Sequence, residues 1–259
     1  MATPTPAPPA SGSKATEGIR LAKQLAEQLQ CSRREAELYI EAGAVQVDGV
    51  EVQDLGHRVL PGQHISVREG ARPEAAPAVT LLVHKPAGYT VGEARRCTPS
   101  VAELLTPDNL ARLDLPAPVK ILQKHFRHQQ PLLALPVAAS GLTVLSQDAR
   151  VLRKLSQEAL YLEQECLVEV QGEISEEALQ DLCNGTSIPG RRLPAIKVSR
   201  QSEQRLRFAL KGIFPEEIEA MCRGVGLKVT ALRRQRIGRV SLAKLPEGQW
   251  RYAMPWERF

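Results

Sequence analysis

No apolar stretch in these 259 residues approaches the roughly 20 that a membrane-spanning helix needs. The N-terminus, MATPTPAPPASGSKAT, has neither a basic start nor an apolar centre, so it is not expected to act as a secretory signal. Residues 1–16 instead read as a disordered Pro/Ala/Ser/Thr tail with too little apolar surface to order itself. No CxxC pair occurs among Cys31, Cys97, Cys166, Cys183 and Cys222, which argues against a metal knuckle or a redox couple. Reduced, buried thiols of a cytoplasmic protein are the expectation. His125 and His128 have no acid or thiol at ligand spacing, so no metal is expected there.

What is present is ordinary globular usage, 43% hydrophobic and 24% charged, at a length that fits two domains. Charge is unevenly spread. The net is +5, but residues 17–70 carry −3, residues 71–190 carry −3, and residues 191–259 carry +10. A basic final quarter on a mildly acidic body points to one surface that faces a polyanion, or to arginines on solvated strands.

Along the chain, Ile19, Ala22, Leu25, Ala26 and Leu29 share a helical face. Ser32 and Glu35 have capping-box spacing, so a second helix starts there and runs to Gly43. Arg33 and Arg34 fall in its first turn, where cations oppose the helix dipole. A phosphate ligand explains that placement better than helix stability does. Val45, Val47, Val50 and Val52 alternate about Asp48-Gly49, a hairpin signal, and His64–Val67 is a further strand.

This segment, residues 17–69, resembles the S4 RNA-binding module. The resemblance rests on Arg20-Leu21-x-Lys23, Ser32-Arg33-Arg34-Glu35-Ala36, Ile40, Gly43-x-Val45-x-Val47-x-Gly49 and Pro61-Gly62. It implies that Arg20, Lys23, Ser32, Arg33 and Arg34 meet structured RNA. The negative charge of the segment predicts weak binding directed by local geometry.

A Pro/Ala linker, residues 70–78, leads to a second domain, residues 79–259. Strands are expected at 79–84, 140–148, 165–171, 206–210, 227–234, 236–242 and 249–254, with helices at 149–160, 175–183 and 215–223. Without regular βαβ alternation the expected class is α+β, on a mixed, largely antiparallel sheet. Ordered landmarks here resemble the RsuA-type pseudouridine synthases. They are Lys85-Pro86-x-Gly88, Ser140-Gly141-Leu142 with Gln147-Asp148, Leu167-Val168-Glu169-Val170-x-Gly172, Gly226-Leu227-x-Val229, Arg236-Ile237-Gly238 and Leu245-Pro246-x-Gly248-x-Trp250-Arg251.

That resemblance implies isomerisation of a uridine in ribosomal RNA, without metal or cofactor, by a monomer acting on a nucleotide swung out of its stack. It also implies an attacking aspartate in a Gly-Arg-Leu-Asp segment before Ser140-Gly141-Leu142. Here that segment is Leu133-Ala134-Leu135-Pro136, so Pro136 occupies the attacking position, and Val137, Ala138 and Ala139 supply no oxygen. The tyrosine that packs on the flipped base is replaced by Cys166. A basic stretch is replaced by Pro215-Glu216-Glu217-Ile218-Glu219, whose carboxylates repel phosphate. The expectation is an RNA-binding relative with its chemistry lost or reduced. The alternatives are an active synthase using another acid, such as Asp114 in Arg112-Leu113-Asp114, or a non-catalytic interaction scaffold. Lys85 and Arg236 are the expected cationic contacts of this domain. Arg234 and Arg236 are expected on one face of a strand, with Arg233 and Arg239 on the other.

Overall fold

The computed structural model describes residues 18–113, 120–188 and 191–259. The tail read at 1–16 and Asp114 lie outside them. Two compact units are present: one up to Pro77 together with Leu122–Lys124, the other Ala78–Ile121 together with His125–Phe259.

In the first unit β1 (Ile19–Arg20) leads into α1 (Leu21–Leu29), and α2 (Arg33–Glu41) follows a tight connection. Ile19 therefore belongs to a strand, paired with Val59 and 49% exposed, rather than to the helical face read from the sequence. The capping box forms as spaced: Ser32 Oγ accepts from the Glu35 amide, and the Glu35 carboxylate accepts from Ser32 N at 2.8 Å. The Ser32 hydroxyl, donating to the carboxylate at 2.7 Å, and then the Ser32 amide hold the Glu35 carboxyl below its ordinary range.

Strands β2 (Val45–Val47), β3 (Val50–Glu51), β4 (Arg58–Val59) and β5 (Ile65–Val67) complete the unit, with β2 between β3 and β5. The β2–β3 turn places Asp48 at φ 49° and Gly49 at φ 80°, the double left-handed geometry that a two-residue hairpin needs. Asp48 also accepts from the His64 amide and from Gln63 Nε2, fastening β5 beside the turn. Leu21, Leu25, Ala36, Ile40, Val45, Val47 and Ile65 fill the core between helices and strands.

The second unit is built on one mixed sheet. Its strands are β6 (Thr80–Lys85), β7 (Gln130–Leu132), β8 (Ser140–Ser146), β9 (Gln164–Gln171), β12 (Lys197–Ser202), β13 (Arg205–Leu210), β14 (Lys228–Ile237), β15 (Val240–Ser241) and β16 (Trp250–Tyr252). The order is β12-β13-β9-β14-β8-β6-β16, with β15 on β14 and β7 on β8. Only β8–β14 is parallel. A separate hairpin joins β10 (Ser187–Ile188) to β11 (Arg191–Arg192). Helices α3 (Ala149–Gln157), α4 (Glu176–Asn184) and α5 (Ile218–Gly224) complete the unit. The α+β expectation is thus met.

The sequence reading of two strands meeting at Gln235 is corrected, because β14 is continuous from Lys228 to Ile237. A bulge makes Arg234 face Cys166 and Arg236 face Glu165, leaving Gln235 as the extra residue. Arg234 and Arg236 therefore point to opposite faces, not to the same one.

One edge of β8 pairs with β6 throughout. The other edge pairs with β14 only at Ser140–Gly141 and with β7 only at Val144–Ser146. The fully buried Arg234 guanidinium bridges the gap, donating to Leu142 O at 2.8 Å, Leu133 O at 2.8 Å, Ala134 O at 3.2 Å and Gln164 Oε1 at 2.9 Å. At the neighbouring strand end Lys85 is also fully buried, and its ammonium donates to the carbonyls of Pro86, Tyr89 and Val137.

Burial, aided by the nearby Arg234 charge, pushes Lys85 down to about 8 from 10.5. Between those values the unfolded chain binds more protons than the folded one, so Lys85 makes stability rise with pH. The stability difference between wild type and Lys85→Met is expected to widen by about 1–3 kcal/mol from pH 8 to pH 10.5, as denaturant melts will show. A constant difference across that window would contradict it.

Candidate functional site

On the first unit Arg20 and Lys23 are exposed and make no ion pair among the described residues. Arg33 and Arg34 stand in the first turn of α2 with side chains 62% and 63% exposed. Each reaches Glu37 at 3.4–3.5 Å, a solvated contact worth well under about 1 kcal/mol that a phosphate can displace. The Ser32 hydroxyl is occupied by the cap, bonded to Glu35 on both sides. The local geometry thus offers four cations on a module with an acidic total.

The second unit holds a groove of about 540 Å³. Its walls are apolar, from Leu132, Leu133, Ala134, Leu155 and Phe214, and it also takes in Gln164, Glu216 and Glu217. Two stretches singled out in the sequence, Leu133-Ala134 and Glu216-Glu217, are brought together here. Glu217 is committed: it pairs with Arg191 at 2.9 Å and accepts from the Phe214 amide. Glu216 makes no hydrogen bond or ion pair among the described residues, yet its charge acts on Arg234 and Cys166 behind the groove. Arg234 is held down near 10 by burial, partly offset by the Cys166 and Glu216 charges.

Pro136 is half-buried and opens the turn Pro136–Ala139, closed by a bond from the Ala139 amide to the Pro136 carbonyl at 3.0 Å. Cys166 is fully buried in the core, where desolvation pushes its thiol up to about 12. It presents no surface on which a base can lie. The cysteines as a group depart from expectation: all five are free, but only Cys166 and Cys222 are buried, while Cys97 is exposed. Lys85, read as a cleft or surface cation, is neither. It is an internal brace with its three protons on carbonyls, because the loops after β6 and before β8 close over it. Arg236 is partly accessible but tied to Glu163 at 2.5 Å and Glu165 at 3.3 Å.

The regional +10 is likewise reduced by internal pairing. Acids that lie before this region take up part of it: Glu169 pairs with Arg205, Glu165 with Arg207, and Glu163 with Arg236. Arg192, Lys197, Lys228, Arg239 and Lys244 remain exposed without ion pairs among the described residues. No group of three or more potential metal ligands occurs among the described residues.

Residues 19–65 match the S4 domain family. Over 235 residues the chain is 30% identical to the dual-specificity RNA pseudouridine synthase RluF of Escherichia coli K12, covering 90% of this chain and 74% of that protein. The chain belongs to the RNA pseudouridine synthase family. An uncharacterised RNA pseudouridine synthase of Aquifex aeolicus is 27% identical, over 90% of this chain and 92% of that protein. A putative ribosomal large subunit pseudouridine synthase of Arabidopsis thaliana, SVR1, is 29% identical over 85% of this chain and 54% of that protein. The fold agrees: a crystal structure of pseudouridylate synthase superposes with a TM-score of 0.56 at 20% identity, covering 91% of this chain and 96% of that one. The architecture is therefore an S4 domain followed by a pseudouridine synthase fold.

Within this pseudouridine synthase fold, sequence reasoning missed Gln164 and Arg234 as a pair. The available signal was Gln164 itself. It shares the inward face of β9 with Cys166, Val168 and Val170, and a polar residue in that row is out of pattern.

Proposed function

We propose that this family member binds structured RNA, ribosomal RNA by the sense of its relatives' names, while its isomerase turnover is lost or strongly reduced. The observation that carries this reading is the segment from Leu133 to Ala139. It enters the groove at Leu133 and Ala134 and runs on through Leu135, Pro136, Val137 and Ala138 without a carboxylate. The buried Cys166 and the anionic Glu216 support it. Chemistry that forms a covalent link to the sugar needs an acid at the reacting carbon, and a proline ring supplies none. The chain is proposed to act in the cytoplasm as a monomer, with no cofactor.

Two measurements test this. In filter binding with a ribosomal RNA fragment, Arg33→Ala/Arg34→Ala is expected to weaken affinity about 10-fold and to flatten the salt slope by about 1–2. An unchanged slope would favour the interaction scaffold instead. Cyanoethylation mass mapping of cellular RNA is expected to find the same pseudouridines with and without the chain. Pro136→Asp alone is expected to add none, since Cys166 and Glu216 are unchanged in it. A pseudouridine that disappears on deletion and returns with the purified protein would establish an active enzyme using another acid.

A further inference from the structure

The groove presents two polar functions that the fold leaves unused. Gln164 is 1% exposed, and its amide oxygen is fixed on the Arg234 guanidinium at 2.9 Å. That fixes which way the amide points: its NH₂ group faces away from Arg234 and has no partner among the described residues. The second function is the unpaired Glu216 carboxylate in the same groove. Apolar surface from Leu133, Ala134 and Phe214 lies around both.

The site thus offers donors from within and a pure acceptor at its wall. A donor-only cation, such as an arginine side chain or a polyamine, satisfies Glu216 but meets Gln164 donor to donor. An anion satisfies Gln164 and is repelled by Glu216. The complementary ligand is flat and neutral, with adjacent donors beside an acceptor. Among nucleobases, uracil has one N–H flanked by two carbonyls, which face a carboxylate unfavourably. Cytosine and adenine offer one amino group next to a ring acceptor. Guanine alone places N1–H and the N2 amino group side by side with O6 adjacent.

We propose that this groove binds a guanine base, with N1–H and the N2 amino group donating to Glu216 and O6 accepting from Gln164. The RNA-binding reading supplies its source, an unpaired guanine in single-stranded RNA; a free guanine nucleotide shares the same chemistry. The groove then selects against uracil, and it differs in kind from a uridine pocket.

The test uses the full chain in equilibrium dialysis with guanosine, inosine, uridine and GTP, and with a short uridine-rich RNA carrying one guanosine or one inosine. Guanosine is expected to bind at least about 10-fold more tightly than uridine, and about 10-fold more tightly than inosine, which lacks the N2 amino group. Glu216→Gln is expected to erase both preferences with only a small change in melting temperature, because the exposed Glu216 makes no hydrogen bond or ion pair among the described residues. A guanosine-to-inosine penalty within the RNA, with GTP weaker than that RNA, identifies RNA as the source. GTP binding more tightly than the RNA identifies the free nucleotide. The assignment is overturned if uridine equals guanosine, if no guanosine binds at millimolar concentration, if spermidine competes, or if the preference survives Glu216→Gln. Guanosine binding is expected to persist in Arg33→Ala/Arg34→Ala, so loss of RNA binding in that variant and loss of base selectivity in Glu216→Gln fail independently.

Discussion

Gly141→Ala is expected to cost about 4 kcal/mol or more and to leave the second unit largely unfolded under mild denaturant. Gly141 sits at φ 116°, outside the range L-residues adopt comfortably, and a Cβ there would lie 2.3 Å from Arg234 O and 2.5 Å from Arg234 N. These are backbone atoms of the one parallel pairing in the sheet, so no side-chain rotation relieves the overlap. Relief requires β8 and β14 to part, which also pulls the Arg234 guanidinium from Leu142. Gly88→Ala is the control: φ is 90°, but nothing lies within 4 Å, so only the conformational penalty of about 1–2 kcal/mol remains. Urea midpoints will rank the two, and equal midpoints would refute the close-approach account.

Arg234→Met is expected to cost about 3–5 kcal/mol, although it conserves much of the volume. The loss strips the partner from Leu142 O, Leu133 O, Ala134 O and Gln164 Oε1 together, all in or near the interior. Hydrogen exchange should quicken along β7 and the start of β8, the two stretches that the guanidinium joins. Arg236→Ala, two positions on, is expected to cost less, about 1–2 kcal/mol, since its side chain is 29% exposed, Glu163 is 45% exposed, and Glu165 keeps Arg207 as a partner. Similar losses for both variants would show that burial is not what distinguishes them.

The contrast between these two arginines also shows how far the sequence could be read. The capping box at Ser32–Glu35 and the hairpin at Asp48-Gly49 depend on neighbours within a few residues, and both form as their spacing predicts. The class of the second unit follows from its irregular alternation of strands and helices. The bulge at Gln235 leaves no local mark, so Arg234 and Arg236 look like one solvated basic run. The fate of Arg234 is decided by carbonyls at 133, 134 and 142, about 100 positions upstream. Strand β12 went unread because Lys197–Ser202 is an edge strand with Val198 its one buried residue, too little for a pattern of period two. Of the candidate site, Pro136, Cys166 and Glu216 stand out as residue types; that Glu216 and Gln164 share a groove is a property of the folded sheet.

The two cations with no exposed surface, Lys85 and Arg234, are both held by uncharged oxygens, unlike the buried Arg251, which rests on the Glu257 carboxylate. Amide oxygens do not take up a proton in mild acid, whereas aspartates and glutamates do. As a solution is acidified, the pairs that Glu165 makes with Arg207 and Arg236 on the sheet's more accessible face let go before anything in its interior does. The fastening beneath keeps its charge and its bonds, so acid strips the accessible face of the sheet before it reaches the interior one.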